Sequence, residues 1–278
     1  MDVDRIKIVK KSGDKVVFDP AKLKYSLERS GAGPKEIEEI TRQVQEKIFD
    51  GISTHKVYQI AYSLLRKRSN KVAGRYRLKK AILELGPTGF PFEKFVGELF
   101  KYQGYDVQVD VVVQGKCVTH EVDVIARKDR KQFMMECKFH SDTSRKSDVK
   151  VPLYINSRFQ DVKSQWEKDN RGEVDFYQGW VVTNTRFTED AIDFGRCAGL
   201  HLMSWDYPQS GSLRDRIDLS GLHPVTALQT LTKAEKQQIL DKGIVLCRNL
   251  KPNNLRDINV SERRINKAIT EVRELVGN

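Results

Sequence analysis

The chain has 278 residues, enough for two domains and a small third one. Hydrophobic residues make up 39% and charged residues 31% of it. No apolar run approaches the ~20 residues of a membrane span, and the N-terminus lacks the basic-then-apolar layout of a signal peptide, so the expectation is a soluble, cytoplasmic protein without a membrane partner.

The net charge of +11 is unevenly placed. Residues 1–90 hold 20 Lys/Arg against 11 Asp/Glu, and the remainder 29 against 27. The first third of the chain therefore offers either a grip for a triphosphate or nucleic-acid backbone or only a solvated basic surface. Cys117, Cys137, Cys197 and Cys247 are isolated singletons, which argues against a C-x-x-C zinc site or a disulfide framework and for free thiols.

In chain order, Ile6–Lys10 and Lys15–Phe18 read as short strands joined by the turn Lys11-Ser12-Gly13-Asp14. Asp19-Pro20 opens a helix, with Asp19 as its cap. Leu23, Leu27, Ile37, Ile40, Val44, Ile48, Val57, Ile60, Leu64 and Leu65 keep helical spacing, interrupted at Gly31–Pro34 and Asp50–Thr54, so about four helices follow the hairpin. Leu85–Pro91 is the clearest break and the natural linker. Beyond it, Phe92, Phe95, Val96, Leu99 and Phe100 form a helical stripe with Glu93 at its margin, and Val107, Val109, Val111 and Val113 alternate as one half-buried strand.

The most informative segments are Glu121–Ala126 and Met134–Phe139, two strands separated by Lys128–Lys131. Side chains alternate along a strand, so Glu136 and Lys138 share a face. A turn at Asp129-Arg130 sets Asp123 opposite Glu136, with Cβ atoms roughly 5 Å apart. Two carboxylates that close need a cation or a shared proton, and oxygen-only ligands suit Mg2+ or Mn2+. With Lys138 beside them, the arrangement fits metal-assisted phosphodiester hydrolysis. A solvated surface ion pair reads the same residues equally well.

Further along, Leu153–Trp166 and Thr188–Cys197 read as helices, the second capped by Thr188, and Gln178–Asn184 and Leu200–Trp205 as strands. His120 reads as a packing or surface residue, and Trp180 and Trp205 as core; Lys150 and Gln160 fall where a helper residue could stand. No His pair has zinc spacing and no G-x-S-x-G elbow occurs, which removes metalloprotease and serine hydrolase readings. Residues 212–278 look helical and polar, and Leu255–Ser261 resembles the turn of a helix-hairpin-helix unit.

Ile8–Asp14, Phe18–Leu23, Ile52–Thr54 and Arg75–Leu78 together resemble the ATP-cone domain over roughly residues 5–90. The resemblance implies that Lys10, Lys11 and Lys22 contact the phosphates of ATP or dATP. With no G-x-x-x-x-G-K-[ST] in the chain, it implies binding without hydrolysis. Phe92–Phe95, Gly104-Tyr105, His120–Ala126, Glu136-Cys137-Lys138, Val182–Asn184 and Phe187–Ala191 resemble the Mrr-like restriction endonucleases of the PD-(D/E)xK superfamily over residues 90–208. That resemblance implies Asp123 and Glu136 as metal ligands, Lys138 as the water-orienting group and Glu93 as an accessory carboxylate.

The expected fold is α/β, or α+β overall, in three units: 1–88, a β-hairpin and helical-bundle ATP cone; 89–210, a mixed sheet flanked by helices; and 211–278, a small helical extension. The expected activity is Mg2+-dependent DNA cleavage regulated by ATP or dATP, in a homo-oligomer, dimer or higher. The alternatives are a nucleotide-sensing DNA-binding regulator that does not cut, and a structure-selective, junction resolvase-like nuclease.

Overall fold

The computed structural model describes residues 6–10, 12–169 and 175–276. It begins with the expected hairpin, β1 (Lys7–Val9) against β2 (Lys15–Val17), antiparallel with Ile8 opposite Val16. Then come α1 (Pro20–Arg29), α2 (Pro34–Gln45), α3 (Thr54–Arg66), α4 (Asn70–Tyr76) and α5 (Leu78–Leu83), one helix more than the periodicity suggested. Asp19 caps α1 by accepting from the N–H of Ala21, and Ser53 caps α3 by accepting from that of Lys56. Phe18, Leu27, Ile40, Val44, Ala61 and Leu65 form the core of this unit, which ends at Ala73.

The next stretch runs α6 (Phe90–Tyr102), β3 (Asp106–Gln114), β4 (Thr119–Lys128), β5 (Lys131–Lys138), β6 (Lys146–Ser147), α7 (Lys150–Asp169), β7 (Asp175–Thr183), β8 (Arg186–Phe187), α8 (Glu189–Cys197) and β9 (His201–Met203). Five strands make one mixed sheet in the order β3-β4-β5-β7-β9. The first three are antiparallel, and β7 and β9 run parallel to β5. One face packs Val124, Ala126, Met135 and Val182 against Phe92, Phe95 and Leu99 of α6. The other packs Met134, Val181 and Leu202 against Phe159 and Ile155 of α7 and Ala191 of α8. The result is a helix, sheet and helix sandwich within an α+β fold.

The valines of β3 do not form the single stripe expected. Val107 and Val109 pack on the α6 side, whereas Val111 and Val113 pack on the α7 side. Asp110 lies between them with φ of 58°, a left-handed turn of the backbone that swaps the face of everything after it.

The C-terminal segment holds α9 (Leu213–Ser220), α10 (Lys233–Asp241), α11 (Pro252–Arg256) and α12 (Glu262–Val276). It contains a two-fold repeat that sequence reading did not reveal. α9 and α10 each lead to a left-handed glycine, Gly221 and Gly243, and then to a short 3-10 turn at Val225–Ala227 and Cys247–Asn249. The halves meet at Pro224 and Leu246, where the N–H of Val225 bonds the carbonyl of Val245 and the N–H of Cys247 bonds that of His223, each 2.8–2.9 Å. The packing of this segment is continuous with the sheet: Ile217, Leu228, Ile239 and Leu255 share one core with α6 and with Leu78, Ala81 and Ile82 of α5. Arg29 of α1 adds ion pairs to Asp215 and Asp218 of α9, at 2.8 and 3.2 Å.

Candidate active site

The hairpin of β4 and β5 turns through Asp129 and Arg130, with φ of 51° and 61°. Two consecutive left-handed residues give the tight turn whose twist matches antiparallel strands. It sets Lys128 opposite Lys131 and Val124 opposite Met135. Asp123 and Glu136 follow one step further along each strand. Here the ladder gives way to a side-chain bond, the Asp123 carboxylate accepting from the N–H of Cys137 at 2.6 Å.

Glu136 is half-buried and Lys138 exposed, with Thr183 donating to the Lys138 carbonyl at 2.8 Å. Glu93 enters from α6, the helix whose apolar stripe is clamped on the sheet. Burial raises the Glu93 carboxyl to a pKa of about 7, helped by the charges of Asp123, Asp110, Glu136 and Glu121. Burial also raises Asp123, against the Cys137 N–H and Arg158; it raises Glu136 together with the Asp123 charge, again against Arg158. Asp123, Glu136, Glu93 and Lys138 are thus brought into one electrostatic neighbourhood.

Two of its members were missed in the sequence. Arg158 of α7 donates to Glu136 at 2.7 Å and to the Glu121 carbonyl, and both side chains of the ion pair are largely buried, at 13% and 17% exposure. Asp110 stands across from Asp123, between the pairs Val109–Val124 and Val111–Val122. The break in strict alternation at Asp110-Val111-Val112-Val113 was its available signal. Arg158 left none, because its contact spans 22 residues between a helix and a strand.

The oxygen-only donor set suits a hard dication, and the upward pKa shifts mark a surplus of negative charge. Among the described residues, however, no three His, Cys, Asp or Glu side chains already stand in a metal-holding arrangement, and Arg158 covers Glu136. His120 lies away from this cluster: its Nε2 is 2.8 Å from Asp161 of α7, which also accepts from the N–H groups of Cys117 and Val118 and so pins the β3–β4 turn. Lys150 opens α7, and Gln160 is exposed on it. Trp180 and Trp205 are core residues, and all four cysteines are free thiols.

In the N-terminal unit Lys10 and Lys22 line a cavity of about 270 Å3 with Phe18, Tyr58 and Tyr76, the two tyrosine rings stacked 5.0 Å apart. Lys22 is 3.6 Å from Asp19. Lys11 lies outside the described residues.

An uncharacterized protein of Archaeoglobus fulgidus is 31% identical over 185 residues, which is 66% of this chain and 100% of the relative. The chain belongs to the AF1548 family. The crystal structure of AF1548, a protein of unknown function, superposes with a TM-score of 0.56 at 31% identity, covering 68% of this chain and 99% of AF1548. A model for the AF1548-like C-terminal region matches residues 223–276, so the helical extension is a family feature. Ahead of it stand a restriction endonuclease domain, matched over 86–207, and an ATP cone domain, matched over 6–82. The cone match runs through α5, whose buried side chains pack with the endonuclease core rather than with the cone. No helix among the described residues is long and apolar enough to cross a membrane.

Proposed function

We propose that this AF1548 family chain is a metal-dependent endonuclease that hydrolyses DNA phosphodiester bonds under the control of ATP or dATP bound at its cone. The three working units are residues 1–88, 89–210 and 211–278. The observation that carries the reading is the approach of Asp123 and Glu136 at the open end of β4 and β5, with Lys138 on the same strand and Glu93 facing them from α6.

Asp123 and Glu136 are the residues that would hold Mg2+ or Mn2+, Arg158 giving up Glu136 as it does so. The ion supplies Lewis acidity toward a phosphate oxygen and a lowered pKa for water. Lys138 offers its ammonium Nζ to the attacking water and to charge developing on the phosphate. Glu93, with a pKa of about 7, can accept a proton at a carboxylate oxygen near neutral pH. The basic first unit, by charge, suits the triphosphate of a regulatory nucleotide, and the assembly is taken to be a homo-oligomer.

Plasmid incubated with the protein and Mg2+ is expected to be nicked or linearised. EDTA abolishes this, and Asp123→Asn or Lys138→Ala lowers the rate about 100-fold or more. Cleavage that survives both substitutions removes the site assignment. The buried Arg158–Glu136 pair favours one second reading, a nucleotide-sensing DNA-binding regulator; DNA binding in gel shift with no cleavage under any divalent ion selects it.

A further inference from the structure

A second and larger cavity, about 780 Å3, lies between the cone and the endonuclease domain. Val9, Lys10, Thr54 and Tyr58 of the cone line one side, Lys79 and Lys80 of α5 another, and Ser141 and Thr143 close it from the loop that follows β5. It shares Lys10, Thr54, Tyr58 and Tyr76 with the smaller cavity, so the two are adjacent. Its lining contains three lysines and His55 and, among the described residues, no Asp or Glu. The start of α3, at Ser53, Thr54 and His55, also lines the cavity, and a helix N-terminus favours negative charge beside it. Lys79 is held below the ordinary lysine range by burial and by the neighbouring Arg186 and Arg214, against the opposing charge of Asp206. Such a lining is short of negative charge, and a polyphosphate supplies it.

The loop on the far side is tied to the catalytic strand. Ser141 follows Lys138 by three residues. Between them, His140 is clamped by Asn184, which accepts from its N–H and donates to its carbonyl, both at 2.8 Å, and its ring lies 3.0 Å from the Ser147 hydroxyl. Phe139 packs against Phe92, one residue from Glu93.

We propose that the Ser141–Thr143 loop forms part of a nucleoside triphosphate site shared between the two domains, with the phosphates in the larger cavity, so that bound nucleotide fixes the segment next to Lys138. The proposal rests on the reading of the cone as a nucleotide-binding unit. It gives that reading a physical route to the cleavage centre, because the ligand touches the chain only three residues beyond Lys138.

Calorimetric titration of the full chain with ATP and Mg2+ tests it. Thr143→Asp is expected to weaken binding about tenfold and Thr143→Lys to tighten it, as a charge set against a polyphosphate requires. Inorganic tripolyphosphate should compete with ATP and show the same ordering across the variants. If the unaltered chain binds ATP and Lys10→Ala weakens it while both Thr143 variants bind as before, the shared site is wrong and the cone reading stands. If the unaltered chain binds no ATP, both fall. A DNA duplex, rather than ATP, responding to the charge at Thr143 also overturns the proposal, since the cavity then serves a nucleic-acid backbone.

Discussion

The cleft around Asp123 and the cavity around Lys79 are built on opposite charges yet share one logic. In the cleft, burial and neighbouring carboxylates push Glu93 up to about 7, and burial raises Asp123 and Glu136. In the cavity, burial and neighbouring guanidinium groups push Lys79 down. Each gathers like charges at a cost that a surface position would avoid, and each would relax if an ion of the other sign were bound. The difference lies in how the crowded charge is offset. The cleft carries its own counter-charge in Arg158, whereas Lys79 forms no ion pair with the described residues and rests instead over the Trp205 ring. An internal counter-charge offsets part of the cost of the buried carboxylates in the acidic site, whereas the lysine-lined cavity has no ion pair of its own at Lys79 among the described residues.

Removing that internal counter-charge is the strongest way to break the comparison. Arg158→Leu leaves Glu136 half-buried among carboxylates, and loss of one partner of a buried pair costs about 3 kcal/mol. In EDTA the variant is expected to melt well below the unaltered chain. Excess Mg2+ should then raise its melting temperature more than that of the unaltered chain, because the ion takes over the guanidinium's role. Equal responses to Mg2+ would mean that the carboxylates do not receive the ion.

The junction between the two regions gives a smaller effect. A Cβ on Gly86, in the linker, would stand 2.6 Å from the Phe139 ring, which already packs on Phe92. Gly86→Ala must displace that ring, and overpacking of this kind costs about 1–3 kcal/mol. Thermal melting measures the cost, and the ATP response of plasmid cleavage should shrink with it, since Phe139 directly follows Lys138. A variant that melts unchanged and keeps its ATP response shows that the ring yields freely and that coupling does not pass through it.

These contacts also show where sequence reading succeeded and where it stopped. The register that brings Asp123 near Glu136, with Val124 opposite Met135, was legible because a period-two pattern and a two-residue turn fix a hairpin locally. The caps at Asp19 and Thr188 are legible for the same reason, each being set by residues two or three apart. Arg158 belongs to a helix whose rotation about its axis is decided by Ile155, Phe159 and Val162 packing on the sheet, so its aim at Glu136 is a tertiary result. The face switch in β3 is shared with its partner strand, where Val122 packs on the α7 side and Val124 on the α6 side, so it belongs to the paired strands and not to the alternation of either one. The C-terminal repeat preserves its capping boxes (Ser212 with Asp215, Thr232 with Glu235), its left-handed glycines and the apolar positions Leu222 and Ile244, Val225 and Cys247, Leu228 and Leu250, a likeness of pattern that a reading for helices alone passes over. The pairing of Lys79 with the Ser141–Thr143 loop exists only once α5 has packed on the endonuclease core.

A pH-dependent effect comes from protons, and it tests whether the carboxylates truly crowd one another. The folded pKa of Glu93, about 7, lies above the ordinary value of 4.5. Between those two values the folded chain holds a proton that the unfolded chain has released, so stability is lost as pH rises from 4.5 through 7. Glu93→Gln cannot ionise and escapes this loss. In EDTA its melting temperature should therefore gain on that of the unaltered chain across that window and hold the gain above about pH 7. A difference that stays flat with pH would mean that Glu93 titrates as an ordinary carboxylate, and the negative field attributed to Asp123, Glu136, Asp110 and Glu121 would be too weak to call for a dication. The same titration in Mg2+ sharpens the result: a cation held by Asp123 and Glu136 cancels the field at Glu93, lowers its pKa, and shrinks the advantage of Glu93→Gln.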